Sequence, residues 1–170
     1  MVLINMYYCS RMKTVFNKVT ILVFCLLLLS VEVKAKDKVV FDDYCVVLVT
    51  SAQCGYCLVN TAWFNTLADR YSGQIQMVAL SESKRKVIER LPELYPGREV
   101  VLRGWTLVPD ARDVYMPLVE RETFPQIILL KNGKVVERFV GTIQPVKDAV
   151  EKALPEFVGE KQAAAKGQGI

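Results

Sequence analysis

The stretch from Cys45 to Cys57 constrains this chain more than any other. Residues 45–50, CVVLVT, form a short apolar, β-branched run of the kind that fills a strand buried on both faces of an α/β sheet. Three residues later comes Cys54-Gly55-Tyr56-Cys57, and from there to Tyr71 the pattern is helical, with Phe64, Leu67 and Tyr71 on one face and Val59 and Trp63 beside it. A strand giving way to a helix puts Cys54 at the helix N-terminus, where free N–H groups and the macrodipole favour a thiolate. A thiolate is the species that attacks a disulfide. Cys57, one turn on, is within reach of Cys54 and can resolve a mixed disulfide.

The chain has no histidine, which excludes Ser-His and Cys-His nucleophile pairs and imidazole metal sites. Half a zinc site is a weak reading of the Cys54–Cys57 pair, because zinc takes four ligands and few others are on offer. No cofactor or metal is expected. An inert local disulfide is the plainer competitor, and the strand-to-helix position argues against it. If residues 45–54 were fully extended, Cys45 would stand about 30 Å from Cys54, far beyond disulfide reach. It reads as a buried, inert thiol, with a surface or intermolecular thiol second.

Residues 19–31, VTILVFCLLLLSV, run 13 residues without a charge. That is short of the roughly 20 a membrane-spanning helix needs and right for a signal-peptide core. Lys13 and Lys18 precede it, and Val33 and Ala35 sit at the −3 and −1 positions before Lys36. Residues 1–35 therefore read as a cleaved signal peptide, with Met12 as an alternative start and an uncleaved envelope anchor as the runner-up. Cys9 and Cys25 would leave with it. Four of the basic residues and one acidic residue lie in this leader, leaving the remainder nearly neutral, so no nucleic-acid partner is inferred. The full chain, with 52% apolar and 24% charged residues, has the composition of a folded protein, and the part after the leader is expected to fold as one domain, residues 36–157.

Residues 74–80, QIQMVAL, read as a second strand, parallel to the first because a helix joins them. Residues 82–122 read as a helical insert: a charged helix over 83–95, a strand or loop around Trp105, and a helix over 113–122. Phe124-Pro125 then opens the strand QIILL, and Lys131-Asn132-Gly133-Lys134 is a type I′ hairpin signal leading into VVERFV. A last helix starts near Pro145, with Val146, Ala149, Val150, Ala153 and Leu154 as its core stripe, and Pro155 is expected to end it. Residues 158–170 read as a flexible tail.

On these residues the chain resembles the thioredoxin superfamily. The resemblance covers about 45–82 and 123–157 and rests on strand, C-G-Y-C, helix, strand, then FPQIILLKNGKVVERFVG. It implies a mixed central sheet flanked by helices, a helical insert before the proline strand, and protein thiol–disulfide exchange. It also implies a cis bond before Pro125, packed by the cysteines, whereas the residues alone allow an ordinary trans-proline at a strand start. By the same resemblance Cys54, Cys57 and Pro125 carry the chemistry, and Phe124, Gly55 and Tyr56 meet an extended substrate.

The departures are informative. C-G-Y-C is similar to the motif of the DsbC-type periplasmic isomerase, but Cys54 lies only 18 residues after Lys36, leaving no room for a dimerisation domain. Thioredoxin's buried acid falls at Leu48, which cannot move protons, and Gln126 stands where threonine is common after the proline. The motif and the missing acid favour oxidase or isomerase work, with a reductase as runner-up. A non-catalytic binding module is the rival. The expected partners are cysteine-containing substrate proteins and a redox-recycling protein, with a membrane protein as one candidate for the latter, meeting a monomer in the periplasm. Trp105 and Tyr115 are candidate substrate contacts in the insert, with burial in the core as the plainer reading.

Overall fold

A computed structural model describes residues 39–167; the leader and the last three residues lie outside the described residues. The apolar run forms β1 (Tyr44–Thr50), whose seven residues are all buried. Alternation splits its side chains between two layers. Tyr44, Val46 and Leu48 face one core together with Phe64, Leu67, Val150 and Leu154, while Cys45, Val47 and Val49 face another with Ala111 and Tyr115. Each large side chain so buried contributes about 1.5–3 kcal/mol, which is why β1 sits at the centre of the sheet.

The other strands are β2 (Gln76–Ser81), β3 (Thr106–Val108), β4 (Gln126–Lys131) and β5 (Lys134–Val140), in the order β3-β2-β1-β4-β5. β1 pairs parallel with β2 and antiparallel with β4. β2 and β3 are parallel; β4 and β5 form the expected hairpin, with Asn132 and Gly133 at φ 52° and 71° as a type I′ turn requires. The fold class read from the sequence is therefore observed.

Several element boundaries differ from expectation. The helix after the cysteines is two: α1 (Gly55–Val59) and α2 (Thr61–Tyr71). Asn60 breaks them, its side-chain amide donating to the Tyr56 carbonyl and to the Thr142 hydroxyl, so it competes with the helix for the same backbone acceptor. The charged helix expected over 83–95 is two single turns, α3 (Arg85–Glu89) and α4 (Leu91–Leu94). Pro92 lacks an N–H, and its ring would clash with the carbonyl of Ile88 in a continuous helix. Pro117 likewise cuts the helix expected over 113–122 to α5 (Arg112–Tyr115) and one 3₁₀ turn, Met116–Leu118.

Trp105 and Tyr115 are core residues rather than substrate contacts: both are buried, and the Trp105 indole donates to the Phe64 carbonyl at 3.1 Å. Beside Trp105, Gly104 has φ +73°, and a Cβ there would lie 2.9 Å from the Ala68 Cβ, so the insert meets α2 at a contact only glycine permits.

The flexible tail is also corrected. α6 (Gln144–Gly167) runs through Pro155 and continues to the end of the described residues. Burial of Phe157 and Val158 carries it past the proline, with Phe157 against the Tyr44 ring at 5.3 Å. Lys131 pairs with Glu160 at 2.7 Å, and Lys161 donates to the Gln74 carbonyl. Within the expected stripe, Ala149 is exposed. Among the described residues no helix is long and apolar enough to cross a membrane.

Candidate active site

The site is built where β1 ends. The Cys54 amide donates back to the Ser51 carbonyl at 3.1 Å, and the Gln53 amide to the Ser51 hydroxyl at 3.2 Å. From the β2–α3 loop, the Ser83 hydroxyl accepts the Ala52 amide at 2.9 Å, and the Ser83 amide in turn donates to the Ser81 hydroxyl. These bonds give the residues before Cys54 a fixed path out of the sheet, since a part-buried N–H left without a partner would cost about 1–3 kcal/mol.

Cys54 is the N-cap of α1, in an extended conformation, and its sulfur accepts the Cys57 amide at 3.1 Å. It is joined to Cys57 in a disulfide, with Cα atoms 5.2 Å apart. The two sulfur residues differ in access: Cys54 is partly exposed, whereas Cys57 is 3% exposed. Only Cys54 is open to attack by an external thiol. After reduction its thiolate would sit at the free N–H groups of the first helical turn, which lower a thiol's pKa. The Thr61 hydroxyl donates to the Cys57 carbonyl, tying the start of α2 to this turn. Gly55 and Tyr56 are exposed, Tyr56 by 71%.

The β1–β4 register pairs Val49 with Gln126, which places Pro125 at the same end of the sheet as the disulfide. The Phe124–Pro125 bond is cis. Pro125 is buried, and its carbonyl accepts the Gly141 amide at 2.9 Å. Phe124 is partly buried and packs edge-on against Tyr115. The Gln126 amide, 2% exposed, donates to the carbonyls of Arg121 at 2.7 Å and Thr123 at 2.8 Å and so holds the loop leading to Phe124. The structure thus brings Cys54, Gly55, Tyr56 and Cys57 together on one turn and sets Phe124 and Pro125 at the same sheet end. Ser83, Asn60 and Gln126 support that turn and loop without having been singled out as site residues. The one sequence signal was Gln126 in a position where threonine is common.

Cys45 is fully buried in β1 and forms no disulfide. Burial first, and then the Asp42 carboxylate, pushes its thiol up to about 12. Burial, followed by Glu82 and Glu122, likewise pushes the Tyr115 phenol up to about 12. Both groups are held neutral by folding, so their contribution is complete below the ordinary values of 9.0 and 10.0 and is lost as pH rises towards 12. Titration of the Cys45 thiol is therefore expected to lower stability progressively above about pH 9, and that of the Tyr115 phenol to act in the same direction above about pH 10. Denaturant unfolding at pH 8 to 11 reads this directly. A stability that stays flat above pH 9 would contradict the buried, neutral thiol.

No family model matches the chain, and no curated protein sequence matches it. Solved structures do. A Chlorobium tepidum protein assigned as thiol:disulfide interchange protein DsbE superposes with a TM-score of 0.55 at 21% identity, over 68% of this chain and 80% of that one. The exposed lipoprotein thioredoxin of Streptococcus pneumoniae gives 0.52 at 15% identity, over 67% and 84%. An uncharacterized thioredoxin-like protein from Porphyromonas gingivalis gives 0.50 at 14%, over 69% and 77%. With its five-stranded mixed sheet, its disulfide at the end of the central strand and its cis-proline strand beside it, this chain has the thioredoxin-like fold.

Proposed function

We propose that this chain is an exported thiol–disulfide oxidoreductase that exchanges disulfides with cysteine-containing proteins in the cell envelope. The observation that carries the reading is the unequal access of Cys54 and Cys57 within one disulfide at a helix start. In the oxidising direction a substrate thiolate attacks the Cys54 sulfur, forming a mixed disulfide and releasing the Cys57 thiolate. A second substrate thiolate then attacks the substrate sulfur and releases the Cys54 thiolate. The substrate leaves oxidised and the pair reduced. In the reducing direction the Cys54 thiolate attacks a substrate disulfide, and Cys57 attacks Cys54 to release the reduced substrate. Backbone groups of Phe124, next to Pro125, are suited to hold an extended substrate segment, with Gly55 and Tyr56 on its other side. The apolar leader with Ala35 before Lys36 supports export to the periplasm. An envelope recycling protein would restore the starting redox state.

The test is the equilibrium of the pair with glutathione at neutral pH, read by thiol alkylation. A potential between about −120 and −200 mV fits an oxidant or isomerase, and about −270 mV or below fits a reductase. No exchange at all would overturn the reading and leave a binding module in its place.

A further inference from the structure

Among the described residues, a pocket of about 240 Å³ opens on the β2–β3 side of the disulfide. Since β1 lies between β2 and β4, this is the flank away from Pro125. Its lining includes Cys57 and Leu58 from α1, Ile88 from α3, Leu91 from α4, and Val100 and Leu102 from the segment before β3. The hydroxyl of Thr61, which also lines the pocket, is committed to the Cys57 and Leu58 carbonyls, and that of Ser81 accepts the Ser83 amide. The lining therefore offers chiefly apolar surface to a guest. Its volume is below the roughly 300–1,000 Å³ of cofactor and drug-sized sites, and suits a single bulky side chain.

One wall is fixed. The buried Asn65 side chain donates to Glu99 at 2.8 Å and to the Val101 carbonyl at 2.9 Å, and accepts the Arg103 amide at 2.8 Å. The α3–α4 wall is anchored by less, because α3 buries none of its residues and α4 only Leu91. That wall also carries a net positive charge around the pocket: Lys84, Arg85, Lys86 and Arg90 are exposed on and beside α3, against Glu89, which lines the pocket, and Glu93, which pairs with Arg90 at 3.8 Å.

We propose that this pocket takes one bulky apolar side chain of the substrate polypeptide, close in sequence to the reacting cysteine and flanked by acidic residues. The proposal rests on the exchange reading above. The apolar group would bind beside Cys57 while the substrate sulfur reaches Cys54, and the basic wall would attract the flanking carboxylates. A substrate would then be gripped on both flanks of the disulfide, with the backbone held by Phe124 and one side chain held by the insert.

The experiment compares disulfide-bearing peptides with Leu or Ala beside the cysteine, each with Glu or Lys flanks, and uses glutathione as a substrate too small to fill the pocket. Burial of one such side chain is expected to lower KM about tenfold or more for Leu over Ala, with kcat little changed. Glu flanks should outperform Lys flanks at low salt and lose the advantage above about 0.15 M. Ile88→Trp should fill the pocket and abolish the Leu preference while leaving glutathione exchange intact. Val101→Arg, at an exposed position on the rim, should do the same without touching the core. Normal glutathione exchange with equal KM for the Leu and Ala peptides would overturn the pocket assignment alone, as would a Leu preference that survives both variants. Equal KM for Glu and Lys flanks would overturn its charge component. Absence of glutathione exchange in the unaltered chain would overturn the exchange reading itself.

Discussion

A chain carrying Cys57→Ser is expected to capture substrate and fail to release it. With the resolving sulfur gone, the Cys54 thiolate still attacks a substrate disulfide, and the mixed disulfide has no internal route to collapse. Incubated with a disulfide peptide, the variant should approach one adduct per chain, stable without reductant and linked through Cys54 by mass spectrometry. Cys54→Ser should form no such adduct, and its exchange rate should fall on the order of a thousandfold or more, as when a nucleophile is removed. The asymmetry follows from burial: Cys57 is 3% exposed whereas Cys54 is partly exposed, so Cys57 cannot take over the attack. Cys45 is no substitute, being fully buried with its thiol held protonated. An adduct of equal yield through Cys57 in the Cys54→Ser chain would sink this assignment of roles.

The second large effect concerns Leu48, fully buried in the middle of β1. This is where the resemblance places thioredoxin's buried acid, yet here Leu48 is a member of an apolar cluster with Phe64 and Leu129. Leu48→Asp would put a carboxyl among groups that cannot solvate it, raising its pKa by about 3–5 units. The sign follows from linkage: a carboxyl whose folded pKa is raised binds its proton more tightly in the folded state. The penalty is therefore smallest near pH 4 and grows as pH rises through the shifted value, reaching about 4–7 kcal/mol beyond the lost packing. That is comparable to the whole stability of an ordinary domain, so the variant should be largely unfolded at pH 8 and partly rescued near pH 4.5. The check is the guanidinium midpoint of variant and parent at both pH values. A difference between them that is independent of pH would show that the apolar surroundings do not govern this position.

What could be read in the sequence followed the strength of local patterns. The β1 run, the cysteine turn and the Asn132-Gly133 hairpin each carry a physical signature within a few residues, and all three were found where expected. The insert gave little, because α3, α4 and α5 are four or five residues each, shorter than one hydrophobic repeat. Their positions are set by distant partners: Asn65 reaches across to residues 99–103, and Ser83 to Ala52. Asn60 and Pro155 misled in opposite directions for the same reason. Asn60 breaks a helix because Thr142 lies within its reach, and Pro155 fails to end one because Phe157 and Val158 have somewhere to be buried. At the site, the cysteine pair was visible outright. The hydroxyls and amides that hold it, and the pocket behind Cys57, are assembled from segments far apart in the chain.

The packing of α6 against β1 also dictates an order of assembly. The first strand of the sheet lays Tyr44 against Phe157, and Val46 and Leu48 share their cluster with Val150 and Leu154. More than a hundred residues separate the two sides of this contact, and the partner β4 is itself made late. A nascent chain therefore leaves one face of its fully buried first strand without its α6 cover until residues 150–157 have been synthesised. This core layer cannot close before that point, and the strand needs protection over that interval.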